Sequence, residues 1–143
     1  MIAIGSDHGG YKLKTKVIQY LTEKGIDCRD MGCDGSTSVD YPIYGHAVAE
    51  AVADGSCEKG IVICTTGIGI SMAANKVPGI RCALCSDTFS AKMTRLHNDA
   101  NVLAMGGGML GENLALDIVD TFLDTDFSGE ERHQRRIDLI ERP

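Results

Sequence analysis

Short apolar runs alternate with helical patterns along the whole chain. Ile2-Ala3-Ile4 opens as a brief strand that stops at Gly5. Between residues 11 and 24 the apolar positions are 13, 17, 18 and 21, a helical spacing, and Gly25 follows as a C-cap. A second strand is expected over 26–30, and residues 33–38 are rich in turn formers. Asp40 is read as the cap of a helix reaching residue 53, with Pro42 in the first turn, where a missing N–H costs nothing. Gly60-Ile61-Val62-Ile63-Cys64 is the clearest strand, a continuous β-branched run suited to burial on both faces. A helix over 70–76, a strand over 80–84 and a helix over 87–97 come next. The strand Val102-Leu103-Ala104-Met105 then leads into Gly106-Gly107-Gly108, a helix over 110–123 and a highly charged helix over 130–140. Five strands alternating with helices imply one α/β domain over 1–143, a parallel sheet with helices on both faces.

Composition narrows the partners. The chain has 143 residues, 43% hydrophobic and only 5% aromatic with no Trp, so small and branched aliphatics must fill the interior. A net charge of −6 argues against nucleic acid or an anionic membrane, both of which select basic faces. It leaves room for a small anionic substrate, which a few local arginines can hold. No apolar run approaches the roughly 20 residues of a membrane span, and Met1-Ile2-Ala3-Ile4 lacks the basic start of a signal peptide. A cytoplasmic chain is expected, with its six cysteines reduced. Cys82-x-x-Cys85 looks like half a zinc site, but in a strand residues three apart face opposite ways, and no second pair follows at finger spacing. No metal is expected.

Ligands of parallel sheets bind beyond the carboxyl ends of the strands. Two segments there carry most of the chemistry. Thr65-Thr66-Gly67-Ile68-Gly69 is a small, Gly-containing loop that opens onto a helix, a pattern that gathers backbone N–H groups into an anion-binding concavity. It is not a Walker loop, since no Gly-Lys-Ser/Thr closes it, nor a dinucleotide fingerprint, since residue 72 is Met where a third Gly is needed. Cys64 stands at the mouth of that loop. N–H dipoles beside a thiol favour its thiolate form, which could attack a carbonyl or remove a proton next to one; a buried, inert cysteine is the plain alternative. Asp7 and His8 reach the same edge. His8 could donate to an anionic group, while Asp7 could equally be a helix cap. His97, with Asn98, closes a helix, where a histidine often serves only the helix dipole. Arg132 and Arg136 are four apart, on one face of the last helix. They could clamp a phosphate or form a solvated face.

These residues together resemble the type B ribose-5-phosphate isomerases, in the group that also holds galactose- and allose-6-phosphate isomerase subunits. The resemblance is carried by Ile4-Gly5-Ser6-Asp7-His8-Gly9-Gly10, by Asp40-Tyr41-Pro42 and by the long segment from Ile63-Cys64-Thr65-Thr66-Gly67-Ile68-Gly69 to Asn75-Lys76. Gly79-Ile80-Arg81, His97-Asn98-Asp99-Ala100-Asn101 and Arg132-His133-Gln134-Arg135-Arg136 extend it nearly end to end. It implies a Rossmann-like three-layer sandwich that forms dimers, sometimes tetramers, with each site shared between subunits and the C-terminal helix touching the partner. It also implies an aldose–ketose isomerase acting on a small phosphorylated sugar through an enediolate, with no metal or organic cofactor. By the same resemblance Cys64 is the base that moves a proton between C1 and C2, His97 assists ring opening, and Thr66 moves protons between O1 and O2. The backbone of Thr65, Thr66, Gly67, Ile68 and Gly69 would form the anion hole. Asp7, His8 and Asn98 would contact substrate, and Arg132 and Arg136, with His8, would bind its phosphate.

Two positions depart from the pattern: Gly108 stands where many relatives carry an arginine that touches phosphate, and Thr65 where glycine is usual. The expected reaction is ribose 5-phosphate to ribulose 5-phosphate. The alternatives are a hexose-phosphate substrate, allose or galactose 6-phosphate, or a non-catalytic sugar-phosphate-binding subunit, which the presence of Cys64 disfavours.

Overall fold

The structure is a computed structural model in which residues 1–142 are described. Its five strands are β1 (Ile2–Ser6), β2 (Cys28–Asp30), β3 (Lys59–Cys64), β4 (Cys82–Leu84) and β5 (Val102–Gly106). They form one sheet of order β2-β1-β3-β5-β4, parallel throughout. The helices are α1 (Tyr11–Glu23), α2 (Tyr41–Ala53), α3 (Ile68–Ala74), α4 (Thr88–Asn98), α5 (Glu112–Asp124) and α6 (Glu131–Ile140), with a 3₁₀ turn at His8–Gly10 leading into α1.

Strand alternation sorts the side chains into two cores. Ile2, Ile4, Ile61, Ile63, Leu103 and Met105 pack with α1 and α5 on one face. Ala3, Val62, Cys64, Val102 and Ala104 face α2 and α3 on the other. The period of two that sends neighbours to opposite faces therefore yields the expected three-layer sandwich. Cys82 and Cys85 obey it too: Cys85 belongs to the first core while Cys82 packs against the second. Burial, with Asp87 nearby, pushes the Cys85 thiol up to about 11, and burial raises the Cys82 thiol further.

The elements differ from the sequence expectation mainly at their ends. β4 begins at Cys82 rather than residue 80, and α3 begins at Ile68, so Ile68 and Gly69 are helical rather than loop. Asp40 occupies the N-cap position of α2, but its side chain makes no capping hydrogen bond. The larger correction concerns α6. The sequence shows it only as highly charged, yet His133 and Ile137, one helical turn apart, are both buried, and α6 lies against α4. A histidine counted as polar supplies half of that buried face. Leu139 and Ile140 remain exposed.

A buried charge anchors the first helix to the sheet edge. Lys14 on α1 is 1% exposed. Its Nζ donates to Asp30 Oδ1 at 2.7 Å and to the Cys33 carbonyl at 2.6 Å, tying α1 to β2 and to the loop beyond it. Removing the ammonium leaves the Cys33 carbonyl without its donor, and hydrogen bonds to charged groups contribute about 1.5–3 kcal/mol. Lys14→Met, close in volume, should therefore lower the free energy of unfolding in urea by about 2 kcal/mol. An unchanged midpoint would show that this anchor does not hold the loop.

Candidate active site

The chain leaves β1 toward β2 on one side of the sheet and toward the rest of the sheet on the other. In such sheets the crevice opens beyond the carboxyl ends where the order reverses, here between β1 and β3. β1 delivers Asp7 and His8 to that crevice, and β3 delivers Cys64. The Asp7 N–H donates to the Ile63 carbonyl, joining the two strand ends. Asp7 Oδ1 accepts the Gly10 N–H at 3.1 Å, so the capping role is real, and the residue also lines the cavity beside Cys64. His8 Nδ1 accepts the Val39 N–H at 3.1 Å. In the neutral ring this places the proton on Nε2, which remains a donor.

The turn after β3 folds back on the sulfur. The Gly67 N–H donates to Cys64 Sγ at 3.1 Å, and the Ile68 N–H donates to Thr66 Oγ1 at 3.2 Å. Gly67 makes this reversal at φ +80°, and a Cβ there would lie 2.7 Å from the backbone of Met105. Only glycine meets both demands. The loop after β5 holds the other side: the N–H groups of Gly107 and Gly108 donate to the carbonyls of Cys64 and Thr65 at 2.8 and 2.9 Å. The result is a cavity of about 430 Å³ lined by Asp7, Cys64, Thr65, Thr66, Ile68 and Gly69. Tyr41 closes it, its ring so near Gly69 that a Cβ there would sit 2.6 Å from Cζ. Sulfur, a hydroxyl, a carboxylate and the first N–H groups of α3, which have no partner inside the helix, thus converge on one space. That set can move a proton next to a carbonyl and stabilise the resulting oxyanion.

The remaining sequence candidates lie elsewhere. Because the strands are parallel, α4 starts at the carboxyl edge after β4 and ends at the opposite edge, before β5. His97 and Asn98 close that helix and do not line the Cys64 cavity; nor do Arg132 and Arg136. His97 instead stacks on His133 of α6, with ring centroids 4.2 Å apart and planes 16° off parallel. Asn98 Oδ1 accepts from the Thr94 hydroxyl at 3.0 Å, and its carbonyl accepts from Arg81 Nε at 2.8 Å. Arg132 pairs with Glu130 at 2.8 Å, and both arginines are exposed.

Two residues escaped the sequence reading. Tyr41 was visible only as part of Asp40-Tyr41-Pro42, with nothing to say that its ring covers Gly69. His133 carried a signal, its spacing of four from Ile137, but His–Ile pairs are weak markers of a buried face. It is 6% exposed, and its Nε2 has no hydrogen-bond partner among the described residues.

The chain belongs to the Ribose/Galactose Isomerase family, which matches residues 2–140, and it is an aldose–ketose isomerase of sugar phosphates. It is 54% identical over 140 residues to a putative sugar phosphate isomerase of Bacillus subtilis and 48% identical over 139 residues to ribose-5-phosphate isomerase B of Escherichia coli. Each comparison covers 97% of this chain and 93% of the relative. Among solved structures, ribose-5-phosphate isomerase B of Clostridium thermocellum is 55% identical and superposes with a TM-score of 0.96, covering 98% of this chain and 94% of that one. No helix among the described residues is long and apolar enough to cross a membrane.

The buried His133 makes a measurable pH signature. Burial, then the neighbouring His97, Arg132 and Arg136 charges, hold its imidazole below the usual value of 6.5, against a smaller opposing effect of Glu130. The folded protein thus binds this proton at lower pH than the unfolded chain. The stability that the neutral ring contributes is complete above about 6.5 and is lost as pH falls through the folded value. Between about pH 7 and 5, the unfolding midpoint of the natural protein should fall more steeply than that of His133→Phe. Parallel curves would show that His133 is not held neutral.

Proposed function

We propose that the chain interconverts ribose 5-phosphate and ribulose 5-phosphate through an enediolate, with Cys64 as the base and without a metal. The observation that carries this reading is Cys64 Sγ, held at 3.1 Å by the Gly67 N–H inside the cavity. The names of the relatives supply the substrate class. Cys64 removes the C2 proton of the open aldose and returns it to C1. As it leaves, charge builds on the oxygens, and the backbone donors from Thr65 to Gly69 face that charge. A fixed donor of this kind contributes on the order of 3 kcal/mol to the transition state. The Thr66 hydroxyl moves protons between O1 and O2. His97 opens the furanose ring, Asp7 and Asn98 hold sugar hydroxyls, and Arg132 and Arg136 bind the phosphate with the Nε2 donor of His8. The phosphate serves as a remote handle that positions the reacting carbons.

This assignment requires a second copy. Cys64 lies at one edge of the sheet and the end of α4 at the other, so His97 and Asn98 cannot approach their own chain's sulfur. A homodimer in which α6 and the end of α4 reach the partner's cavity completes two sites at once, and a tetramer would pair such dimers. A cytoplasmic location suits a free sugar phosphate and reduced thiols.

The direct test is turnover of ribose 5-phosphate by the purified protein and by Cys64→Ser. A serine hydroxyl is a far poorer base at neutral pH, so kcat should fall roughly a hundredfold or more while KM changes little. Near-normal turnover in the variant would contradict Cys64 as the base.

A further inference from the structure

Thr65 directly follows the central strand, and its side chain is wedged between two glycines from flanking loops. A Cβ at Gly9 would lie 2.1 Å from Thr65 Oγ1, and one at Gly108 would lie 2.9 Å from Thr65 Cγ2. Both are closer than real Cβ contacts allow, so the branched side chain at 65 fits only because positions 9 and 108 carry none. The hydroxyl thus lies against the loop after β1 and the methyl against the loop after β5, while the residue stays open to solvent on its remaining side. The two walls are backbone and are pinned: Gly108 N–H donates to the Thr65 carbonyl at 2.9 Å, Gly107 N–H to Cys64, and Asp7 N–H to Ile63. They cannot swing aside for a longer ligand as a flexible side chain would.

Thr65 itself lines the Cys64 cavity, and the geometry points to it as a specificity-determining residue, a plug that narrows that cavity and favours a five-carbon over a six-carbon sugar phosphate. This rests on the reading of the cavity as a sugar-phosphate site. Its physical content is shape: the methyl and hydroxyl occupy the volume that one more carbon unit of the substrate would need. Discrimination by about one such unit is typically 10- to 200-fold.

The experiment measures affinity in a Cys64→Ala background, where bound sugar is not turned over, using ribose 5-phosphate and allose 6-phosphate as probes. Adding Thr65→Gly should shift the affinity ratio toward allose 6-phosphate by about tenfold or more. Adding Thr65→Val, which keeps the shape and removes the hydroxyl, should leave the ratio nearly as it was. An unshifted ratio in the Gly variant, an equal shift in the Val variant, or binding of neither sugar would each overturn the plug. Melting temperatures test the wedge separately from ligand: Gly108→Ala should lower the melting temperature when residue 65 is Thr and much less in the Thr65→Gly protein. Equal losses in both backgrounds would also overturn it. If sugars bind with the expected ratios while the unsubstituted protein turns over neither, the isomerase reading fails and the plug stands.

Discussion

All five strands point the same way, and the rest of the molecule follows from that polarity. Parallel strands need long return connections, which the helices supply, and the helices bury both faces of the sheet. They also give the sheet two unlike edges. Every strand ends at one edge, where Asp7, His8 and Cys64 gather beside the first turn of α3. Every returning helix ends at the other, where α4 leaves His97 and Asn98. A single chain of this topology cannot bring the two groups together without reversing a strand. If both groups act on one substrate, as proposed, the division of the site between subunits follows from the sheet's direction.

Within the carboxyl edge, the chemistry depends on close approach of backbone. β3 is flanked by β1 and β5, so its last residue is met from both sides by loops. Gly67 turns its N–H onto the sulfur, Gly107 and Gly108 grip the carbonyls of Cys64 and Thr65, and Gly9 makes room for the threonine side chain. N–H groups held this way are set in place by backbone contacts, the condition under which fixed N–H dipoles lower a barrier. The opposite edge is organised by side chains. Arg81 reaches the carbonyls of Asn98 and Asp99 and the carboxylate of Glu141, joining the end of α4 to the end of α6, and His133 stacks beneath His97.

The sequence was most informative where one physical rule acts alone. The apolar run of residues 61–63 marks a strand buried on both faces, and period-two alternation separates Cys82 from Cys85 across the sheet. Cys64 at the mouth of a glycine-containing turn was visible as a candidate in the sequence, and it lies in a cavity with the turn's N–H on its sulfur. What stayed hidden involves distant segments. The stack of His97 on His133 joins α4 to α6, and the burial of α6 depends on a histidine that reads as polar. The fit of Thr65 needs glycines from the loops after β1 and β5, some 56 and 43 positions away along the chain. Each of the two departures from the family pattern, at 65 and 108, looks independent in the sequence; in space the two residues touch.

The central claim is that two chains build each site, and complementation reads it most directly. Cys64→Ala and His97→Ala proteins, each inactive alone, are mixed, dissociated and allowed to reassociate. In a mixed dimer one of the two sites carries both an intact Cys64 and an intact His97. The account predicts that ribose 5-phosphate turnover returns in proportion to that hybrid species. If mixed dimers form and no activity returns, each chain holds its own complete site and the account is wrong.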